Sequence, residues 1–286
     1  MIPVSCPLTG GELALIAGEG LLPALIADGA ARAGHLPFVY YLGKQHGLQG
    51  IPEERIIDIA SLPSPGGGLD LRVLASDMKK RGITAVTMAG RVPKTLIYSG
   101  AALGASLARI VSGAPNDDHS LLGRVVEAFE AAGFSVVSYR DFIAECLAPD
   151  GTVAGRTPTE TEEADVRCGM KILEATLPLS FGQSVVVAGG AVVAVEAMEG
   201  TDEMIRRAGG ILSGQSVRGG SVVKMMRRDQ DERFDIPTVG SGTLRNMRDA
   251  GLSCLALESG RTIILEREQF ARLAAEWDLS VVGVRF

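Results

Sequence analysis

The chain has 286 residues, 46% of them hydrophobic and 22% charged, with a net charge of −6. That length points to two domains with ample core, so neither disulfides nor a metal is needed as a staple. The acidic balance and the single tryptophan exclude a general nucleic-acid binder, which wants a basic face with stacking aromatics; no apolar run reaches the ~18 residues of a membrane span.

Residues 13–18, an apolar run ending in glycine, read as a strand. A turn at Glu19-Gly20 leads to a helix through Ala33. Strands follow at 38–42 and 56–59, then a turn signal at 63–68 and a helix over 69–81. Strand 84–88 ends at Ala89-Gly90-Arg91-Val92-Pro93-Lys94. An amphipathic helix over 119–132, with Asn116, Asp117 and Asp118 as possible caps, precedes strand 134–138. This alternation gives an α/β fold whose first domain, residues 11–148, is a Rossmann-like parallel α/β domain. Periodicity lapses at 149–158. The second domain, 149–286, opens with a charged helix over 160–175. Strands 184–188 and 191–195 flank Gly189-Gly190, a dipeptide suited to a two-residue hairpin, so this is expected as a mixed-sheet α/β domain. A helix over 201–208, strand 221–225, a strand pair at 252–257 and 262–265 about Ser259-Gly260, helix 266–277 and strand 280–284 complete it.

Cys6, Cys146, Cys168 and Cys254 form no CxxC pair and are expected as reduced, mostly buried thiols of a cytoplasmic protein. Residues 1–10 lack the basic and long apolar segments of a signal peptide and are expected as a short tail.

Two glycine turns and two charged segments hold the chemistry. Gly18-Glu19-Gly20 resembles a dinucleotide turn, but Pro23 stands where a third glycine belongs and Tyr40-Tyr41 where the ribose-binding acid belongs. That argues against a redox cofactor. Backbone amides there could hold a phosphate or a ribose hydroxyl, and the plain alternative is a ligand-free βα turn. Gly90, Arg91 and Lys94 lie at a strand's carboxyl end and could meet phosphate; otherwise the two cations are simply solvated. In the second domain, Glu196, Glu199 and Asp202 crowd together beside Thr201, a spacing that repels unless cations intervene. The alternative is a helix capped by Thr201 or Asp202 with solvated glutamates. The strand at 221–223 delivers Lys224 to a polar loop carrying Arg227, Arg228, Gln230, Asp231, Arg233 and Asp235; the alternative is an exposed, salt-bridged loop. All three histidines, His35, His46 and His119, lie in the first half, which disfavours a histidine-based triad or zinc site in the second. Carboxylates favour a hard cation such as Mg²⁺, and Lys and Arg suit phosphate oxygens. The set reads as metal-assisted attack at phosphorus.

These residues also carry a family resemblance. Gly182-Gln183, Val195–Asp202, Val223-Lys224, Gln230-Asp-Glu-Arg-Phe-Asp-Ile-Pro237 and Ala250–Leu252, with residues 15–18, Ala89-Gly90 and 117–122 upstream, resemble UDP-2,3-diacylglucosamine pyrophosphatases of the lipid A pathway, the type found in bacteria lacking the metallophosphoesterase version. The resemblance implies Mg²⁺-dependent hydrolysis of UDP-2,3-diacylglucosamine to UMP and 2,3-diacylglucosamine 1-phosphate, water attacking the sugar-side phosphorus in a cleft between two domains. It implies Asp231, then Asp235, as catalytic carboxylates or metal ligands, and Lys224 and Arg233 as holders of the pyrophosphate. Asp231, Glu196, Glu199 and Asp202 are the implied metal set. Gly18, Gly20, Gly90, Arg91, Gln183, Thr201 and Gln230 are the implied substrate contacts. A non-catalytic carrier of a diacyl sugar nucleotide and a non-lipid nucleotide-sugar pyrophosphatase remain alternatives. The expected setting is cytoplasmic and peripheral at the inner membrane, with transient membrane-surface contact, no nucleic-acid partner and a homodimer as the default assembly.

Overall fold

The computed structural model describes residues 10–43, 47–63, 70–92, 118–179, 182–214, 219–228 and 230–285, with 118–121 by backbone alone. The turn signal over 64–68, Lys94, the caps Asn116 and Asp117, Cys6 and His46 lie outside the described residues. The chain divides into two units, Met1–Ala144 with Asp231–Asp235, and Glu145–Gln230 with Ile236–Phe286.

In the first unit, strands β1 (Glu12–Ala17), β2 (Phe38–Tyr41), β3 (Ile56–Asp58), β4 (Ile83–Ala89) and β5 (Ser135–Val136) form one sheet. Its order is β3-β2-β1-β4-β5 and every pairing is parallel. Helices α1 (Leu22–Arg32), α2 (Leu71–Lys80) and α3 (Asp118–Ala131) supply the crossovers that parallel strands require. The Asp70 carboxylate caps α2 by accepting from the Arg72 amide. Ala14, Tyr40, Val86, Met88, Phe129 and Phe134 share one apolar cluster. Tyr40, where a dinucleotide fold would place its ribose acid, is fully buried and donates to Asp77 at 2.7 Å. It is part of the core.

The second unit is a six-stranded sheet of order β6-β13-β11-β9-β7-β8. Its members are β6 (Gly151–Gly155), β7 (Ser184–Ala188), β8 (Ala191–Val195), β9 (Ser221–Lys224), β11 (Cys254–Glu258) and β13 (Ser280–Val284). The three central strands are parallel, while β6 and the β7–β8 hairpin run antiparallel. Both faces are covered. Val186, Val222, Leu255 and Val281 point into one cluster with Met204, Leu244 and Phe270. Val185, Val187, Val223 and Ala256 point into the other with Val166 and Leu173. Helix α4 (Glu160–Thr176) supplies Val166 and Leu173; α5 (Thr201–Leu212), α6 (Ser241–Asp249) and α7 (Arg267–Glu276) supply the opposite face. The runs read as continuously apolar because alternate residues serve opposite cores.

Gly189 and Gly190 form the expected hairpin turn, with φ of 59° and 79°. Asp165, 2% exposed on α4, accepts both of their amides, at 3.1 and 2.6 Å.

Three expectations change. The proposed pair about Ser259-Gly260 does not form: β11 is sandwiched between β9 and β13, and β12 (Ile263–Ile264) pairs instead with β10 (Thr238–Val239) in a separate two-stranded sheet. The aperiodic stretch at the expected boundary supplies edge strand β6. Residues 231–235, which the sequence reading assigns to the second domain, pack with the first unit. Phe234 enters that unit's core, Arg233 pairs with Glu130 at 2.9 Å and Glu232 with Arg140 at 3.0 Å.

Among the described cysteines, Cys146 and Cys254 are buried and Cys168 is half-buried. Burial pushes the Cys254 thiol up to about 11. No helix among the described residues is long and apolar enough to cross a membrane.

One buried carboxylate holds the second unit's entry. Thr159 and Glu162 form a capping box at the start of α4. Glu162 also takes both Arg156 Nη atoms at 2.7 Å and the Ser253 hydroxyl at 2.5 Å. Burial alone would raise this carboxyl, but Arg156, Ser253 and Thr159 together hold it down to about 2. A depressed folded-state value stabilises fully above the ordinary value of 4.5, and that stabilisation is lost as pH falls towards 2. Glu162→Gln is expected to cost about 2–3 kcal/mol at neutral pH and to flatten the acid limb in that window. Urea titrations across pH check this; an unchanged midpoint at neutral pH contradicts it.

Candidate functional site

The first unit's sheet order sends the chain to opposite sides of β1 and β4, so their carboxyl ends form the switch point where open α/β sheets bind ligands. Gly18 and Gly90 stand at these two ends. The Gly18 amide donates to Ala89 O at 2.8 Å, and Glu19 and Arg91 exchange backbone bonds at 2.8 and 2.9 Å. The turns are thereby stitched together. A Cβ on Gly18 would meet Arg91 O at 2.7 Å, and one on Gly90 would meet Gly18 C at 2.8 Å. The glycines are required for backbone to pass backbone, and the amides of Gly18 and Glu19 are committed to the sheet. Gly20 and Arg91 remain exposed, with Arg91 3.9 Å from the Glu19 carboxylate.

In the second unit, β9 delivers Lys224 beside the start of β7, where Ser184 is its register partner. Lys224 is 5% exposed and Glu196 7%. The Lys224 ammonium donates to Thr201 Oγ1 at 2.7 Å, and Thr201 Oγ1 donates to Glu196 Oε2 at 3.0 Å. Neither Thr201 nor Asp202 caps α5. Gly200 is the N-cap and contributes no side chain, which leaves the Thr201 hydroxyl for the buried charges. Glu199 closes its own turn by accepting from the Ala197 amide and from Arg207, which also donates to Val195 O. Its carboxyl is held below the usual range by its own backbone amide first and then by Arg207. Asp202 is exposed in the first turn of α5, where a carboxylate offsets the helix N-terminal charge. The Gln183 carbonyl accepts from the Met225 amide at 2.9 Å, while its side-chain Oε1 is buried with no hydrogen-bond partner among the described residues.

The loop after β9 is fixed within the same unit. Gln230 is buried, and its Oε1 accepts from the Arg227 amide at 3.2 Å. Glu258, 4% exposed at the end of β11, accepts from the Met226 amide at 2.8 Å. The next five residues belong to the first unit. There Asp231 accepts from the Arg233 amide at 2.9 Å, and from Arg233 Nη2 at 2.7 Å and Nε at 3.0 Å. Asp235 closes the turn by donating its amide to Asp231 O at 3.1 Å.

Among the described residues, no three His, Cys, Asp or Glu side chains are placed to hold a metal ion. Within the second unit, Glu196 is bonded by Thr201 and Glu199 by Arg207.

The N-terminal domain model of the LpxI family matches residues 12–146, and its C-terminal domain model matches residues 149–282. The chain belongs to the LpxI family. A relative, the UDP-2,3-diacylglucosamine pyrophosphatase LpxI of Caulobacter vibrioides, is 29% identical over 96% of this chain and 97% of its own length.

Within this LpxI-family chain the structure unites Lys224, Thr201 and Glu196 as one buried chain of contacts, and Asp231, Arg233 and Asp235 as one turn. Ser184, Glu258, Arg207 and Glu130 also belong to these arrangements and went unremarked in the sequence. Glu258 had a usable signal, because a carboxylate ends an otherwise wholly apolar strand. Ser184 had none, because the residue opposite it is fixed only by the β7–β9 register.

The glycine turns give a comparative prediction. Gly90 combines a φ of 93° with backbone contact, whereas Gly20, φ 106°, faces open space. Gly90→Ala should destabilise by more than about 3 kcal/mol, and Gly20→Ala by about 1–2. Equal melting temperatures for the two variants would contradict the stitching of the turns.

Proposed function

We propose that this chain hydrolyses the pyrophosphate of UDP-2,3-diacylglucosamine to UMP and 2,3-diacylglucosamine 1-phosphate, a step of lipid A synthesis. The observation that carries the reading is the match to both LpxI domains, together with near-full-length similarity to a pyrophosphatase of that name. The side-chain chemistry supports it: a buried ammonium on a hydroxyl, an arginine paired with a carboxylate, and no histidine in the second half.

In this reading Asp231 orients a water and takes its proton as the water oxygen bonds the sugar-side phosphorus. The bond from that phosphorus to the bridging oxygen breaks, and UMP leaves with the electron pair. Arg233 exchanges an Asp231 oxygen for a phosphoryl oxygen, which frees the carboxylate as substrate arrives. Lys224 offsets charge on the departing phosphate. Gln183, Gln230, Gly18, Gly20, Gly90 and Arg91 are the further substrate contacts. The acyl chains imply collection of the substrate at a membrane surface.

Mg²⁺ fits the donor set in one form. It binds through one or two carboxylates with substrate phosphates and waters, and does not need an all-protein cage. Asp231 and Asp235, on one turn, would hold it once Arg233 turns to the substrate phosphate. Bound there, it would supply positive charge to offset the charge that develops on the phosphoryl group.

Purified protein with Mg²⁺ is expected to release UMP from UDP-2,3-diacylglucosamine, to stop in EDTA and to recover on added Mg²⁺. Full activity in EDTA removes the metal, and binding without UMP release leaves a carrier in place of an enzyme. Asp231→Asn is expected to lower kcat about 10²- to 10⁴-fold with KM little changed; wild-type turnover in that variant overturns the assignment.

A further inference from the structure

Thr201 resembles a helix cap and, by family resemblance, a substrate contact; Gly200 takes the cap position, and the Thr201 hydroxyl bonds buried side chains. A threonine hydroxyl has one hydrogen to give and two lone pairs to receive. The hydrogen goes to Glu196 Oε2 at 3.0 Å. Lys224 Nζ, which can only donate, takes one lone pair at 2.7 Å. Ser184 Oγ lies 3.3 Å from the same oxygen, and with the threonine hydrogen already committed it must donate to the second lone pair. The hydroxyl is saturated, with nothing left for a ligand. Its partners are all buried, with Ser184 at 0% exposure.

The same oxygen stands between a buried ammonium and a buried carboxylate. Its bond to Lys224 ties the ammonium at the end of β9 to the first residue of α5. We infer that Thr201 is a positioning residue that acts through Lys224, with Ser184 fixing the orientation of its hydroxyl. This rests on the reading that Lys224 meets the pyrophosphate.

The test compares Thr201→Val, which keeps the shape and removes the hydroxyl, with Thr201→Ser, which keeps the hydroxyl. The valine variant is expected to lose about 10- to 100-fold in kcat with KM within about threefold, and the serine variant to stay within about threefold of wild type. In a Lys224→Met background, Thr201→Val should add less than about a further threefold, because the two act as a unit. Crystal structures should show Lys224 Nζ displaced by about 1 Å or more in the valine variant, enough to misplace a charge on a reacting group, and unmoved in the serine variant. Additive losses, a rise in KM alone, equal impairment of both variants, or an unmoved Nζ in the valine variant would each overturn the inference. Failure of wild-type protein to release UMP would sink the proposed reaction instead, and the crystal structures would still judge the role of Thr201.

Discussion

A lysine ammonium carried out of water must be met by oxygen, and at the end of β9 this constraint organises much of the second unit. Lys224 is 5% exposed, and burial of an unpaired charge costs several kcal/mol. The β7–β9 register brings Ser184 opposite it. The β7–β8 hairpin returns the chain to Glu196, and the turn at 197–200 starts α5 so that its first residue is Thr201. Hairpin, turn and helix start are separate local structures, yet together they bring the Thr201 hydroxyl onto the Lys224 ammonium, with Glu196 and Ser184 bonded to that same hydroxyl.

The acidic side chains divide by what they satisfy. Asp165 is a backbone acceptor that fastens the hairpin turn, and Glu162 is a buried partner for Arg156 at a helix start. Glu258 pins the loop that follows Lys224, and Glu199 closes its own turn with Arg207. Each is occupied by protein groups whose loss would leave buried or poorly solvated donors. Asp231 differs. It is paired with Arg233, a cation whose planar fork suits phosphate as well as carboxylate. An arginine so placed can exchange one anion for another without being left unpaired.

Residues 231–235 show how a short segment can leave its sequence neighbourhood. Phe234 is the hydrophobic reason, since it lies in the first unit's core among residues distant in sequence. Arg233–Glu130, Glu232–Arg140 and the Ser138 hydroxyl on Glu232 O are the polar reasons. The segment reads as part of the second half only because its neighbours on both sides return there.

The sequence by itself determined the alternation of strands and helices, the hairpin at Gly189-Gly190, the mixed character of the second sheet, and the residue types on which chemistry depends. These follow from periodicity, from glycine's access to positive φ, and from the donor and acceptor inventory of side chains, all of which are local. Tertiary structure alone decided that β11 pairs with β9 and β13 rather than β12, that 149–158 contributes an edge strand, that Gly18 and Gly90 are required by each other, and that Thr201 bridges charges instead of capping a helix. Each depends on which distant backbone arrives alongside. Strand register and side-chain saturation are properties of neighbours in space, and no local pattern in the chain encodes them.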